Sequence, residues 1–489
     1  MTILAIDAGT TGVTAQIIGS DGVLLGRGYC EVEQHFPQPG WVEHSPEQIW
    51  QATLSAVKVA LDQTGLKPSE IAAIGITNQR ETVALWDRET LASPTNAIVW
   101  QDRRTSGILD EEKFVAAAAR VREVTGLPLD PYFSSSKLLW IKRNLPLIWA
   151  GVEAGRVAVG TIDSYLAARI SGGLAHITDA SNASRTQLFN IHSLEWDTEL
   201  LELFEVPASA LPRVVPNRGK LAQAKASAFL GIDAWITGMA GDQQAALFGQ
   251  LAHSPGQAKC TYGTGAFLLR NTGSQIVSTD PKLIATVAWI DEAGKPTYAL
   301  EGSVFVAGAA IQWLRDGLQI IEAASELEIL ARKVTSSDGV CIVPAFTGLG
   351  SPFWDPNVRG AMFGITRGTS RAHLAHATFE ALAFQVKALV DAMTAAVGEP
   401  LEALKVDGGV TRSNLLMQLE ANALGVPIEL PANFDTTGLG AAFLAGLGAG
   451  IWRDVSELKQ ETARIFKPNG NLDEEYSRWL RAVAAARSF

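Results

Sequence analysis

Ile3-Leu4-Ala5-Ile6-Asp7-Ala8-Gly9-Thr10-Thr11-Gly12-Val13-Thr14-Ala15-Gln16-Ile17-Ile18 is an apolar run, an acid, a turn of small residues and a second apolar run. Ile3 to Ile6 predicts a buried strand closed by Asp7, Ala8 to Gly12 a turn, and Val13 to Ile18 a returning strand. Ser20-Asp21-Gly22 then turns into a third, Val23 to Gly26. A related hairpin is expected halfway along. There Gln257 to Thr261 reads as a strand, Tyr262-Gly263-Thr264-Gly265 as a turn and Ala266 to Leu269 as the return. Two hairpins with small-residue turns, roughly 250 residues apart, suggest two similar halves facing one another.

The rest of the chain alternates. Strands are predicted over Ile71 to Thr77, Ala97 to Trp100, Trp235 to Gly241, Val340 to Phe346 and Leu404 to Asp407. Helices are predicted over Pro46 to Asp62, Phe114 to Val124, Gln243 to Leu251, Arg371 to Val397 and Arg412 to Leu424. Alternation of this kind implies α/β layers. The 489 residues suit two domains, of about 200–250 residues each. We place them at 1–250 and 251–489.

Forty basic against 51 acidic residues give a net charge of −11, which argues against a general nucleic-acid binder, since that needs a basic stripe. Binding a small phosphate-bearing molecule is compatible with this charge, because backbone donors and a bound cation can outweigh a negative global field. Cys30, Cys260 and Cys341 lack the spacing of a disulfide framework or a zinc site, and a reducing compartment fits. The N-terminus lacks the basic segment of a signal peptide. Thr437 to Trp452 is short and glycine-rich, a close-packed core helix rather than a membrane span. A cytoplasmic location is expected.

Several polar segments interrupt the apolar runs. Asp7-Ala8-Gly9-Thr10-Thr11 can be a plain tight turn. It can equally be an anion-binding concavity of successive N–H groups, with hydroxyls from Thr10 and Thr11 and a carboxylate at Asp7 for Mg²⁺. Tyr262-Gly263-Thr264-Gly265 carries the same two readings, and neither segment is a Walker loop. Asn78-Gln79-Arg80-Glu81-Thr82 follows a buried strand and can form a surface salt bridge, or face a cleft with donors and acceptors suited to vicinal hydroxyls. Asp242, in Gly241-Asp242-Gln243-Gln244, can cap a helix or act as a general base. Asp407-Gly408-Gly409 can be a turn or the backbone approach that a nucleotide needs.

Taken together, His35 to His44, Gly75 to Thr82, Ala97 to Thr105, Leu129 to Phe133, Asn182 to Thr186, Gly241 to Gln250 and Pro344 to Gly350 resemble the FGGY carbohydrate kinase family over essentially the whole chain. Tyr132 to Asn144 and Gly360 to Glu380 look like its two signatures. The resemblance implies two actin-like (ribonuclease H-like) domains with the active site in the cleft between them. It also implies ATP-dependent phosphorylation of glycerol to sn-glycerol 3-phosphate, or of another small polyol or ketose. By similarity, Arg80, Glu81, Tyr132, Asp242 and Gln243 would hold the polyol hydroxyls, and Trp100 and Phe267 would pack on its carbons. Asp242 would be the base and Asp7 would position Mg²⁺. Thr10, Thr11 and Thr264 would cradle phosphates. Gly308, Gln312, Gly409 and Ser413 would line the nucleotide. A homodimer or homotetramer stays open.

Three departures from the family pattern stand out. Thr14 occupies the place of an arginine in the phosphate loop, so one phosphate or polyol contact is missing. Ser413, with Asn414 beside it, stands where an asparagine usually meets adenine. The segment Ala226 to Ala234 has no basic residue, where members regulated by fructose 1,6-bisphosphate carry a Gly/Lys/Arg-rich loop. No such regulation is expected. A nucleotide-dependent sensor without transfer is the reading from another class, and the Asp7 and Asp242 carboxylates argue against it. The kinase reading requires those two carboxylates to end up a few ångströms apart, flanking one notch.

Overall fold

The computed structural model describes residues 1–277 and 282–489. A six-stranded sheet is built from β1 (Thr2–Ala8), β2 (Gly12–Gly19), β3 (Leu24–Glu31), β4 (Ile71–Asn78), β5 (Arg218–Gln223) and β6 (Trp235–Gly241), in the order β5-β6-β4-β1-β2-β3. A seven-stranded sheet contains β7 (Ala258–Tyr262), β8 (Ala266–Gly273), β9 (Ile284–Ile290), β10 (Pro296–Val304), β11 (Leu404–Asp407), β12 (Ile428–Pro431) and β13 (Thr462–Phe466), in the order β9-β10-β8-β7-β11-β12-β13.

The two sheets repeat one plan. In the first, β1 pairs antiparallel with β2, β2 antiparallel with β3, and β4 lies parallel between β1 and β6. In the second, β7, β8, β10, β11 and β12 take the same places with the same directions. The hairpin that opens each half therefore puts a small-residue turn at the corresponding strand end of each sheet.

The helices that matter for the site are α1 (Pro46–Thr64), α2 (Asp242–Gly249), α3 (Arg371–Val397), α4 (Asn414–Leu424) and α5 (Thr436–Gly448). Ser45 starts α1 by accepting the Gln48 N–H, and Pro46 follows it in the first turn, where a missing N–H costs nothing. Helix α5 belongs to the second half of the sequence yet lies on the first sheet. Leu439, Ala441, Ala442 and Phe443 share one apolar cluster with Ile3, Ala5, Ile18 and Ala73. Small residues allow this approach: a β-carbon on Gly440 would lie 1.8 Å from the Ala245 carbonyl oxygen of α2, and one on Gly249 2.1 Å from that of Thr436. Among the described residues no helix is long and apolar enough to cross a membrane.

Several boundaries differ from expectation. Ala97–Ile98 is the whole of that strand, paired with Glu43–His44. The chain turns at Val99 because the buried Asp102 carboxylate takes the Val42 N–H at 2.6 Å and the Arg104 guanidinium. The strand predicted over Val340 to Phe346 shrinks to Cys341–Val343, since Pro344 cannot donate to a ladder.

Candidate active site

Asp7 and Asp242 lie at the same end of the first sheet's strands. Asp7 on β1 is level with Thr77 on β4, and Thr77 with Ala240 on β6. Their backbones are thus about two strand spacings apart, roughly 10 Å. Gly241 takes the cap position of α2, so Asp242 sits in the first helical turn and its Oδ1 accepts the Gln243 N–H at 2.7 Å. The helix-cap reading of Asp242 gives way, and its carboxylate is left partly open to the cleft.

Arg80 and Glu81 are buried, which removes the surface salt-bridge reading. Glu81 has φ of 62°, a conformation held at some cost for a residue with a β-carbon, and the kink turns both side chains inward. Arg80 Nε lies 3.1 Å from Asp242 Oδ1. Its two terminal nitrogens grip Glu301 of β10 at 2.6 and 3.0 Å, a bidentate pair across the two halves. Arg185 adds a bond to Glu301 at 3.1 Å and one to Glu81 at 2.7 Å. Burial alone would raise the Glu301 carboxyl, but Arg185 and Arg80 overcome it and hold it down at about 2. Glu81 moves the other way: burial outweighs Arg80 and Arg185 and its pKa rises. The difference follows from contact, since Glu301 takes three short guanidinium bonds and Glu81 one.

Gln243 is fixed by Lys259 of β7, whose Nζ donates to Gln243 Oε1 at 2.5 Å and to Thr261 Oγ1 at 3.0 Å. With its oxygen engaged, the Gln243 amide presents its NH₂ as donor. Trp100 meets Tyr132 and Phe267 edge to face, with centroids 5.5 and 6.3 Å apart, an aromatic wall for a short carbon chain. Trp100 Nε1 also donates to Thr10 Oγ1 at 3.0 Å, joining that wall to the turn after β1.

The two hairpin turns supply donors. Among the described residues the N–H groups of Thr10, Thr11 and Thr264 have no acceptor within the chain. The Thr264 carbonyl receives the Ala307 and Ala309 N–H groups at 2.8 and 3.1 Å, which docks the turn on the short helix Gly308–Gln312. A β-carbon on Gly308 would stand 2.6 Å from the Gly263 carbonyl oxygen and 3.4 Å from Val410, whereas one on Gly409 would meet nothing within 4 Å. Gly308, Gly409 and Thr264 therefore border one surface. Gln312 is exposed beside it. Ser413 caps α4, accepting the Leu416 N–H at 3.3 Å, and the Asn414 side chain is paired with Arg464.

Asp7 is the candidate residue for a divalent cation. Burial first, then the neighbouring Asp435 and Asp242 carboxylates, push the Asp7 carboxyl well above the usual range, with Arg27 pulling it back. Negative charge left uncompensated among oxygen ligands suits Mg²⁺. Among the described residues no group of three or more His, Cys, Asp or Glu could hold a metal ion. Asp7 is the residue that would hold such an ion. Sequence reasoning did not find Glu301, Arg185 as its partner, Lys259, Arg27 or Asp435. A lone charge inside an apolar strand is the signal that marks Glu301 and Lys259.

Known proteins share this whole chain. A glycerol kinase of Carboxydothermus hydrogenoformans is 49% identical over 495 residues, spanning 100% of this chain and 98% of its own. One of Bacillus velezensis is 48% identical over 493 residues, spanning 100% and 99%. The crystal structure of Plasmodium falciparum glycerol kinase with ADP superposes with a TM-score of 0.92 at 34% identity, covering 99% of this chain and 98% of that one. The models of the N-terminal and C-terminal domains of the FGGY carbohydrate kinases match residues 2–249 and 258–449. With a doubled sheet plan, a polar cluster bridging the halves and relatives aligned from end to end, this chain belongs to the FGGY family of carbohydrate kinases.

Proposed function

We propose that this chain transfers the terminal phosphate of Mg·ATP to a primary hydroxyl of glycerol, giving sn-glycerol 3-phosphate and ADP in the cytoplasm. The observation that carries the reading is the Arg80–Glu81–Asp242 cluster. It is braced by Glu301, walled by Trp100, Tyr132 and Phe267, and opens beside the free N–H groups of Thr10 and Thr11.

Each residue has a task in this reading. Arg80 donates and Glu81 accepts at vicinal hydroxyls, Gln243 donates, and the aromatic wall covers the carbons and excludes water. Asp242 accepts the proton of the attacking hydroxyl as its oxygen bonds to the terminal phosphorus and the bond to the bridging oxygen of ADP breaks. Thr10, Thr11 and Thr264 donate to phosphate oxygens, while Gly308, Gln312, Gly409 and Ser413 border the nucleoside. Asp7 would hold Mg²⁺, which would supply charge neutralisation at the phosphates. Positioning and charge stabilisation are the main contributions that phosphoryl transfer needs from a protein.

The test is an acceptor panel with coupled ADP detection. Glycerol should give the highest kcat/KM, because a buried polar site penalises an acceptor that leaves its groups unpaired. Purified protein that makes no glycerol 3-phosphate from Mg·ATP and glycerol would overturn the proposal.

A further inference from the structure

Arg27 lies outside every motif considered so far. It stands on β3 opposite Gln16 of β2, and its guanidinium turns back along β2 towards the cleft. Nη2 lies 3.5 Å from Thr14 Oγ1 and Nε 3.4 Å from Asp435 Oδ2, next to the start of α5. Thr14 is the direct cross-strand partner of Asp7, so the hydroxyl and the carboxylate emerge side by side on one face. The guanidinium is thereby brought beside Asp7, at the mouth of the Gly9 to Thr11 turn, and it is the cation that lowers the Asp7 carboxyl.

Both contacts are long. A charge-assisted bond normally closes to about 2.7–2.9 Å, and a guanidinium carries five donors. Arg27 remains 46% exposed, and Asp435 27%. A loose, exposed pair of this kind contributes little to stability. The arrangement leaves most of the fork available, beside the Thr14–Asp7 pair.

We propose that Arg27 is a phosphate-binding residue, its donor fork reaching from β3 across Thr14 to the terminal phosphate of the nucleotide at the Gly9 to Thr11 turn. Position 14 is a threonine, which leaves the space beside Asp7 that the longer side chain enters from the neighbouring strand. This inference rests on the kinase reading. The bland role, a surface tether between β3 and Asp435, predicts a small change in thermal midpoint and none in nucleotide affinity.

Calorimetric titration with Mg²⁺ and the β,γ-imido analogue of ATP separates the two. Arg27→Gln should weaken the analogue by about tenfold to a hundredfold, the range for a lost charged hydrogen bond, and weaken ADP less. Arg27→Lys keeps the charge but not the fork and should give an intermediate loss. Adding Thr14→Arg to Arg27→Gln should recover most of the affinity. Wild-type affinity in both single variants, or a lowered midpoint with unchanged affinity, would overturn the proposal while leaving the kinase reading intact. Wild-type protein that binds neither nucleotide would overturn both.

Discussion

Replacing Glu301 by glutamine keeps the shape of the side chain and removes its charge from beneath Arg80 and Arg185. The pKa of Glu301 lies at about 2 in the folded protein against 4.5 for a free glutamate. At about 1.36 kcal/mol per pH unit, that gap corresponds to about 3 kcal/mol. Leaving buried charges without their partner independently costs about 3–5 kcal/mol. For domains of this size each kcal/mol lowers the midpoint by about 2–4 °C, so Glu301→Gln should melt about 6–12 °C below the parent at pH 7. The pH dependence gives a sharper test. The folded value lies below the unfolded one, so the contribution is complete above about 4.5 and disappears as pH falls towards about 2. At pH 3.5 the difference between parent and variant should have narrowed by about 1 kcal/mol. Differential scanning calorimetry from pH 7 to 3.5 measures this. A variant within about 2 °C of the parent at pH 7, or a difference that does not narrow in acid, would refute the view that Glu301 is the charged keystone of the site.

Other expectations are simpler to state. Asp242→Asn should lower kcat by about 10²–10⁴ while nucleotide still binds, as measured by coupled ADP release and calorimetry; near-normal turnover would remove Asp242 from its role. Gly440→Ala forces a β-carbon to 1.8 Å from the Ala245 carbonyl oxygen and should cost about 3 kcal/mol in chemical unfolding. Gly107→Ala, which meets nothing within 4 Å, is the matched control and should be neutral or slightly stabilising. Fructose 1,6-bisphosphate should leave the rate unchanged, because Ala226 to Ala234 offers it no basic side chain; clear inhibition would contradict this.

Much of the fold was legible because apolar runs are bounded by residues with few conformational options. Leu404–Asp407 and Arg371–Val397 have the bounds expected from sequence, each closed by glycine at 408 or 398. Where an expected strand was cut short, the cause was a particular polar contact, as with Asp102, or a proline. The repeated sheet plan shows in topology while the sequences barely match, since many apolar combinations fill equivalent strands. The site divides along the same line. Asp7 lies just before the end of β1 and Asp242 just after the end of β6, so both can be found locally, but Glu301 is 221 positions from Arg80 and gains its meaning only across the gap between halves. Arg27 was invisible for another reason. Its backbone belongs to a half-exposed strand, and only the bend of its side chain across β2 gives it a place near Asp7.

The seating of α5 on the first sheet means that neither half is a finished object. A chain cut after residue 250 would lay bare Ile3, Ala5, Ile18 and Ala73, which α5 otherwise covers, and such a fragment should be sticky and poorly folded on its own. Supplied together as two polypeptides, the fragments have good reason to find each other, because the missing layer of one is carried by the other. Gene splitting, circular permutation and recombination between relatives would each have to respect that lock, and breakpoints that keep α5 with the sheet it covers are the ones to choose.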